Sequence, residues 1–109
     1  MTDQELNVAM AEKVMGWARE GAWWYANKKL EGRPIEHYHD WSPSTDIAAA
    51  FKVGEKVGGC WGVQYGPARK EWTANFCTMM GAPTFRASAK TVSRAICLAI
   101  LEAVGVEAP

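Results

Sequence analysis

Apolar positions along the chain follow two periods, and the switches between them mark out the elements. Leu6, Met10, Val14 and Trp17 recur at helical intervals behind Thr2 and Glu5, which have the S/T-x-x-E spacing of a capping box. A first helix is therefore predicted over about Asp3 to Trp17. Past Gly21, the run Ala22-Trp23-Trp24-Tyr25-Ala26 suits a strand, with Asn27-Lys28-Lys29 and Glu31-Gly32 as turn material. Ile35 to His39 reads as a second, shorter strand paired to the first. Ser42-Pro43 puts a cap residue before a proline at a first helical position, which signals a helix start. Ile47, Ala50, Phe51 and Gly54 form the apolar stripe of that second helix, and Gly58-Gly59 closes it.

From Cys60 the period becomes two, with Trp61, Val63 and Tyr65 on one face and Gly62, Gln64 and Gly66 on the other. After the Gly66-Pro67 turn, Trp72, Ala74, Phe76 and Thr78 alternate with Thr73, Asn75 and Cys77, so a β-hairpin is predicted. Met79 to Lys90 contains Gly81, Pro83 and Ser88 and reads as a loop with a short extended piece at Thr84 to Ala87. Thr91 can cap a last helix in which Val92, Ala95, Ile96, Ala99, Ile100 and Ala103 line one face before Gly105. Cys97, Leu98 and Leu101 make this helix apolar nearly all round, the pattern of a helix sandwiched inside the molecule or shared with another subunit. The predicted order is α-β-β-α-β-β-α in a single domain over 1–109. The class is α+β, with an antiparallel β-sheet flanked by helices in a sandwich-like arrangement.

A chain of 109 residues supports one small core, and twelve Lys+Arg against twelve Asp+Glu cancel. That balance argues against a nucleic-acid polymer as partner, since such affinity needs clustered, unbalanced cations. Six Trp, at 17, 23, 24, 41, 61 and 72, exceed what a small core uses. The surplus points to an interface of a homo-oligomer or to a pocket that stacks flat rings. Cys60, Cys77 and Cys97 form no CxxC pair and have no His at finger spacing, so neither a disulfide framework nor a structural zinc is predicted. Acidic residues stand where a signal peptide has bases, and no apolar run approaches the roughly 20 residues of a membrane span. A soluble, intracellular protein with no membrane partner is expected.

Three stretches carry a resemblance: Ala11-Glu12-Lys13-Val14-Met15-Gly16-Trp17, Ser42-Pro43-Ser44-Thr45-Asp46-Ile47-Ala48-Ala49-Ala50, and Arg94-Ala95-Ile96-Cys97-Leu98-Ala99. Together they resemble the bacteriophage ABA-sandwich family, small phage proteins in which a β-sheet lies between helical layers. The resemblance implies a phage or prophage origin and a host-cytoplasm setting, and it brings no catalytic set with it. Gly66 to Ala89 lies outside the resemblance. A small phage protein of this kind is similar in strategy to the signal-sequestering proteins that phages use against Thoeris or CBASS defence.

The residues themselves offer several candidate groups. Ser42, Ser44 and Thr45 at a helix start would present hydroxyls, backbone N–H groups and the positive end of a helix dipole to a phosphate. Asp46 in the same turn opposes an anion, and ordinary capping explains the pattern as well. Trp23, Trp24, Trp41, Trp61 and Trp72 could stack a base, at about 1–3 kcal/mol per face, or fill the core. Trp23 and Trp24 point to opposite faces of a strand, so only one of them can line any one pocket. His37 and His39 share a face and could ligate a metal, but no third ligand stands at suitable spacing; facing a cleft, they would donate to a phosphate. Arg69, Lys70 and Arg86 could complete an anion site.

No GxSxG, no Cys with a local His signature and no phosphate-binding Gly loop is present, since Gly58-Gly59 and Gly62 precede a strand. The predicted ligand-binding set is therefore Trp24, Trp41, Ser42, Ser44, Thr45, His39, Arg69 and Arg86, with no catalytic residue, metal or cofactor. The predicted function is non-catalytic capture of a small (cyclic) nucleotide immune signal, which counteracts host antiphage defence. The alternatives are a module that inhibits a host protein through an exposed aromatic patch and a small nucleotide hydrolase using His37 or His39.

Overall fold

In the computed structural model the described residues are 2–27, 29–30, 32–58, 60–77 and 84–105. The predicted turn residues Lys28 and Glu31, the helix-closing Gly59, Thr78 at a strand end and the Met79–Pro83 part of the loop lie outside them.

The capping box forms: Thr2 Oγ1 accepts from the Glu5 amide at 3.1 Å, and the Glu5 carboxylate accepts from the Thr2 amide at 3.2 Å. It starts α1 (Asp3–Ala9), which widens into a π-helical segment, Met10–Val14, with the Met15 amide bonded to the Met10 carbonyl at 3.0 Å. Gly16, at φ +74°, ends the helix. Trp17 therefore leaves the helical path that its spacing predicts. It lies against Trp41, with ring centroids 4.6 Å apart.

The first sheet has the antiparallel order β1 (Ala18–Glu20), β2 (Trp23–Tyr25), β3 (Glu36–His37). Ala18-Arg19-Glu20 has no alternation, so β1 was not among the predicted strands. It forms because Gly21, at φ +59°, occupies the first position of a two-residue hairpin turn.

The second helix, α2 (Ile47–Val57), starts later than Ser42-Pro43 predicts. The Ser42 carbonyl accepts from the amides of Thr45 at 3.1 Å and Asp46 at 2.7 Å, which closes one separate turn. Asp46 is then extended, at φ −108° and ψ 109°, and caps α2 by accepting from the Ala48 amide at 3.0 Å.

The second sheet has the antiparallel order β4 (Cys60–Gly66), β5 (Glu71–Cys77), β6 (Phe85–Ala89). The predicted hairpin forms with Trp61 opposite Phe76, Val63 opposite Ala74 and Tyr65 opposite Trp72. The extended piece is a full strand, β6, with Phe85 and Ala87 opposite Phe76 and Ala74. These residues share the face covered by α3 (Val92–Ala103), which packs on β5 and β6 and also on α1, α2 and the π-helical segment. The apolar girth of α3 follows from this middle position, with Ala95, Ile96, Cys97, Ala99, Ile100 and Leu101 all buried. Arg94 near its start reaches Asp3 of α1 at 2.6 Å. The fold is α+β, with antiparallel sheets packed against helices. Among the described residues no helix is long and apolar enough to cross a membrane.

Candidate functional site

The segment from Trp41 to Thr45 wraps around one buried side chain that the sequence patterns do not single out, Asn7 of α1. Asn7 Oδ1 accepts from the Ser44 amide at 3.0 Å, Asn7 Nδ2 donates to Ser42 Oγ at 3.3 Å, and the Asn7 backbone carbonyl accepts from the Trp41 indole at 3.0 Å. Ser42 Oγ and Thr45 Oγ1 bond each other at 2.6 Å, and Ser44 is buried. Four of the predicted residues, Trp41, Ser42, Ser44 and Thr45, thus meet in one turn, and their polar groups are engaged within the protein. The helix N-terminus that was to bind phosphate belongs to Asp46, whose carboxylate already caps it.

Of the neighbouring tryptophans, Trp24 turns inward. It is 1% exposed, stands 6.5 Å from Trp17 and 5.8 Å from Tyr38 between ring centroids, and offers no face to solvent. Its indole N–H is buried without a partner. Arg69 is exposed in the β4–β5 turn, and Arg86 is exposed on β6 opposite Asn75. Neither side chain is bonded to the Trp41–Thr45 turn among the described residues.

Trp23 takes the outward place and builds a ledge on the first sheet. It is 45% exposed and lies opposite His37, whose ring meets it edge-on at 4.9 Å. His39 follows at 5.5 Å from His37 and 5.3 Å from Tyr38. His37 Nδ1 accepts from the His39 amide at 3.2 Å, which leaves Nε2 as the position for the ring proton of neutral His37. Arg19 stacks over Tyr38 at 3.5 Å, and the Tyr38 hydroxyl accepts from Gln4. Glu20 is the β1 neighbour of Trp23 and puts a carboxylate on the same face. No group of three or more metal-ligating side chains occurs among the described residues. The ledge therefore combines an open indole, two imidazoles and one carboxylate. Period two separates Trp23 from Trp24 without saying which turns in, so the predicted Trp24 is the buried one and Trp23 the exposed one.

The second sheet carries a shallow depression of about 240 Å³ on the end away from its turn, lined by Cys60, Trp61, Gly62, Asn75, Phe76, Cys77 and Thr84. Asn75 Oδ1 is buried there without a hydrogen-bond partner. Its volume is below the range of about 300–1,000 Å³ typical of small-molecule sites. It could take one small polar group, not a whole nucleotide.

A family model described as the phage ABA sandwich domain matches residues 9–101. A 2.0 Å crystal structure of a phage protein from Bacillus cereus ATCC 14579 is similar over 100% of this chain and 93% of that one, with 19% identity and a TM-score of 0.77. At that identity the likeness concerns the fold alone. No curated protein matches the chain.

Proposed function

The chain belongs to the phage ABA sandwich family, and on that premise we propose that it is a non-catalytic phage protein of the host cytoplasm that captures a small nucleotide-derived signal. Capture withholds the signal from an antiphage defence of the Thoeris or CBASS type. The observation that supports this reading is the exposed ledge of Trp23 with His37 and His39 beside it. A base stacked on an indole gains about 1–3 kcal/mol, and imidazole N–H groups donate to phosphate oxygens. Glu20 can accept from an exocyclic amine or a ribose hydroxyl, so the face has a complement for each part of a nucleotide. The zero formal charge suits a small ligand held by a few groups better than a polyanionic backbone. Sequestration requires affinity alone and no reacting group.

The test is native mass spectrometry of the protein after exposure to a panel of cyclic nucleotides and ADP-ribose derivatives, followed by heat release of whatever is bound. An intact nucleotide recovered after heating is the expected result, and Trp23→Ala should weaken its binding about tenfold. Because Trp23 is nearly half exposed, that variant should keep the circular dichroism of the parent. A cleaved product would replace capture by hydrolysis. No bound mass across the panel would overturn the nucleotide reading and leave inhibition of a host protein.

A further inference from the structure

The edge of the second sheet raises a question that ligand capture does not answer. Among the described residues β4 pairs with β5 alone, so its outer row of amides and carbonyls has no ladder partner. Sheet edges are ordinarily protected from other chains by charged side chains, proline or bulges. The other three edge strands carry charge: Arg19 and Glu20 on β1, Glu36 on β3, Arg86 on β6. Cys60-Trp61-Gly62-Val63-Gln64-Tyr65-Gly66 carries none, and has no proline.

The apolar face beside this edge is also incompletely covered. Val63 is 40% and Tyr65 44% exposed, although both sit on the face that α3 covers farther in, over β5 and β6. Phe51 of α2 lies 4.9 Å from Trp61 between ring centroids and is 39% exposed; Ile47, one turn earlier on the same helix face, is 43% exposed. Trp72 continues the strip, 5.2 Å from Tyr65. An uncharged strand edge thus runs alongside a continuous apolar strip.

We propose that β4 is a homodimer interface, at which two copies pair their β4 strands antiparallel about a two-fold axis at Val63. The sequence of the strand is self-complementary in that register. Val63 meets Val63 of the second copy at the axis, Trp61 meets Tyr65 on either side of it, and Gly62 meets Gln64. A shift by one residue would set the apolar face of one copy against the polar face of the other, so the alternation selects this phase. Aromatic cross-strand pairs are among the favourable ones, and no charge has to be desolvated along the strand. A two-fold operator perpendicular to the sheet keeps α2 and α3 of both copies on one side, so the Phe51 and Ile47 side chains approach the same seam. The two three-stranded sheets become one of six strands, β6-β5-β4-β4-β5-β6. One seven-residue strand and a narrow apolar strip make a small interface, of the class below about 1,200 Å² that associates transiently. The occupant is a second copy of this chain and does not depend on whether the Trp23 ledge binds a nucleotide.

The experiment is sedimentation equilibrium of the full chain from about 5 to 500 µM, a span chosen for micromolar association, with hydrogen exchange read at both ends of the range. The expected result is a species of twice the 12.0 kDa chain mass that grows with concentration, together with concentration-dependent protection of β4 amides. Val63→Lys sets two like charges at the axis and should weaken the dimer at least about tenfold. As Val63 is already well exposed, the variant should fold; if it does not, the exchange data on the parent decide by themselves. A single-chain mass throughout, or an oligomer in which β4 amides show no added protection, overturns the proposal.

Discussion

The side-chain carbonyl of Asn7 accepts a hydrogen bond from the backbone amide of Ser44 at 3.0 Å, joining the first helix to a turn 37 residues away. Both groups are buried, and the same Asn7 holds Ser42 through its amide and Trp41 through its main chain. Asn7→Ala would leave the Ser44 amide without a partner in the interior. The expected loss is about 1–3 kcal/mol of stability, read from the midpoint of urea unfolding. Ser42→Ala, at the more accessible end of the cluster, should cost less. An Asn7→Ala variant as stable as the parent would show that the network contributes nothing net.

Cys97 and Cys60 should differ in reactivity. Burial against α3's neighbours pushes the Cys97 thiol up to about 12, and the nearby Arg94 charge only partly offsets this. Cys60 is exposed. Iodoacetamide at about pH 8 should label Cys60 in the folded protein and Cys97 only after unfolding, because the thiolate is the nucleophile. Burial favours the neutral thiol, so its contribution to stability is complete below the unfolded thiol's value of 9.0. It declines as pH rises from there toward 12, when the unfolded chain ionises and the folded one does not. Denaturation midpoints measured across that alkaline range, with Cys97→Ala as the reference, test the sign.

Thr91 caps α3 by accepting from the Arg94 amide at 3.3 Å. Thr91→Ala should cost about 1 kcal/mol, and Thr91→Ser should cost much less. Since α3 is the middle layer, the loss should appear in global thermal unfolding, as a fall of about 4–8 °C in Tm. Local fraying of the helix start with Tm unchanged would show that the first turn of α3 is not part of the cooperative unit.

Gly21 adopts φ +59° in the β1–β2 turn, with nothing within 4 Å of where a Cβ would stand. Gly21→Ala therefore meets backbone strain and no clash, and should cost about 1–2 kcal/mol in thermal unfolding. Gly21→Asn, which tolerates this region, should be close to neutral. If both variants destabilise equally, side-chain bulk and not conformation governs the turn.

Much of the fold was legible in local pattern. Thr2 and Glu5 announced the start of α1, and alternation from Trp61 to Phe76 announced the hairpin. The apolar girth of α3 left two places open, inside the molecule or between subunits, and α3 packs on both β5–β6 and the other helices. What misled was local signal that stands alone. Ser42-Pro43 looks like a helix start, yet Asp46 is also a good cap, and the chain makes a separate turn because Asn7 captures the Ser44 amide. β1 was hidden because three residues without alternation carry no period; its pairing comes from the Gly21 turn.

The candidate site was less legible than the fold. Sequence placed aromatics, histidines and hydroxyls within one stretch of chain, and it placed Trp23 and Trp24 on opposite faces of a strand. It could not say that Trp24 would meet Trp17 and Tyr38, leaving Trp23 and the two histidines as the open surface.

By itself the sequence determined which residues alternate, which recur on a helical face and where the uncharged strand lies, because these follow from backbone geometry over a few neighbouring residues. Only the tertiary structure decided which tryptophan is core and which is surface, that Asn7 is a buried hub, and that β4 is an edge strand among the described residues. The Asn7 hub depends on segments more than 30 positions away, Trp41 and Ser44, and the inward turn of Trp24 on its meeting with Trp17 and Tyr38. No period in the chain records such contacts, since burial is a property of the packed whole.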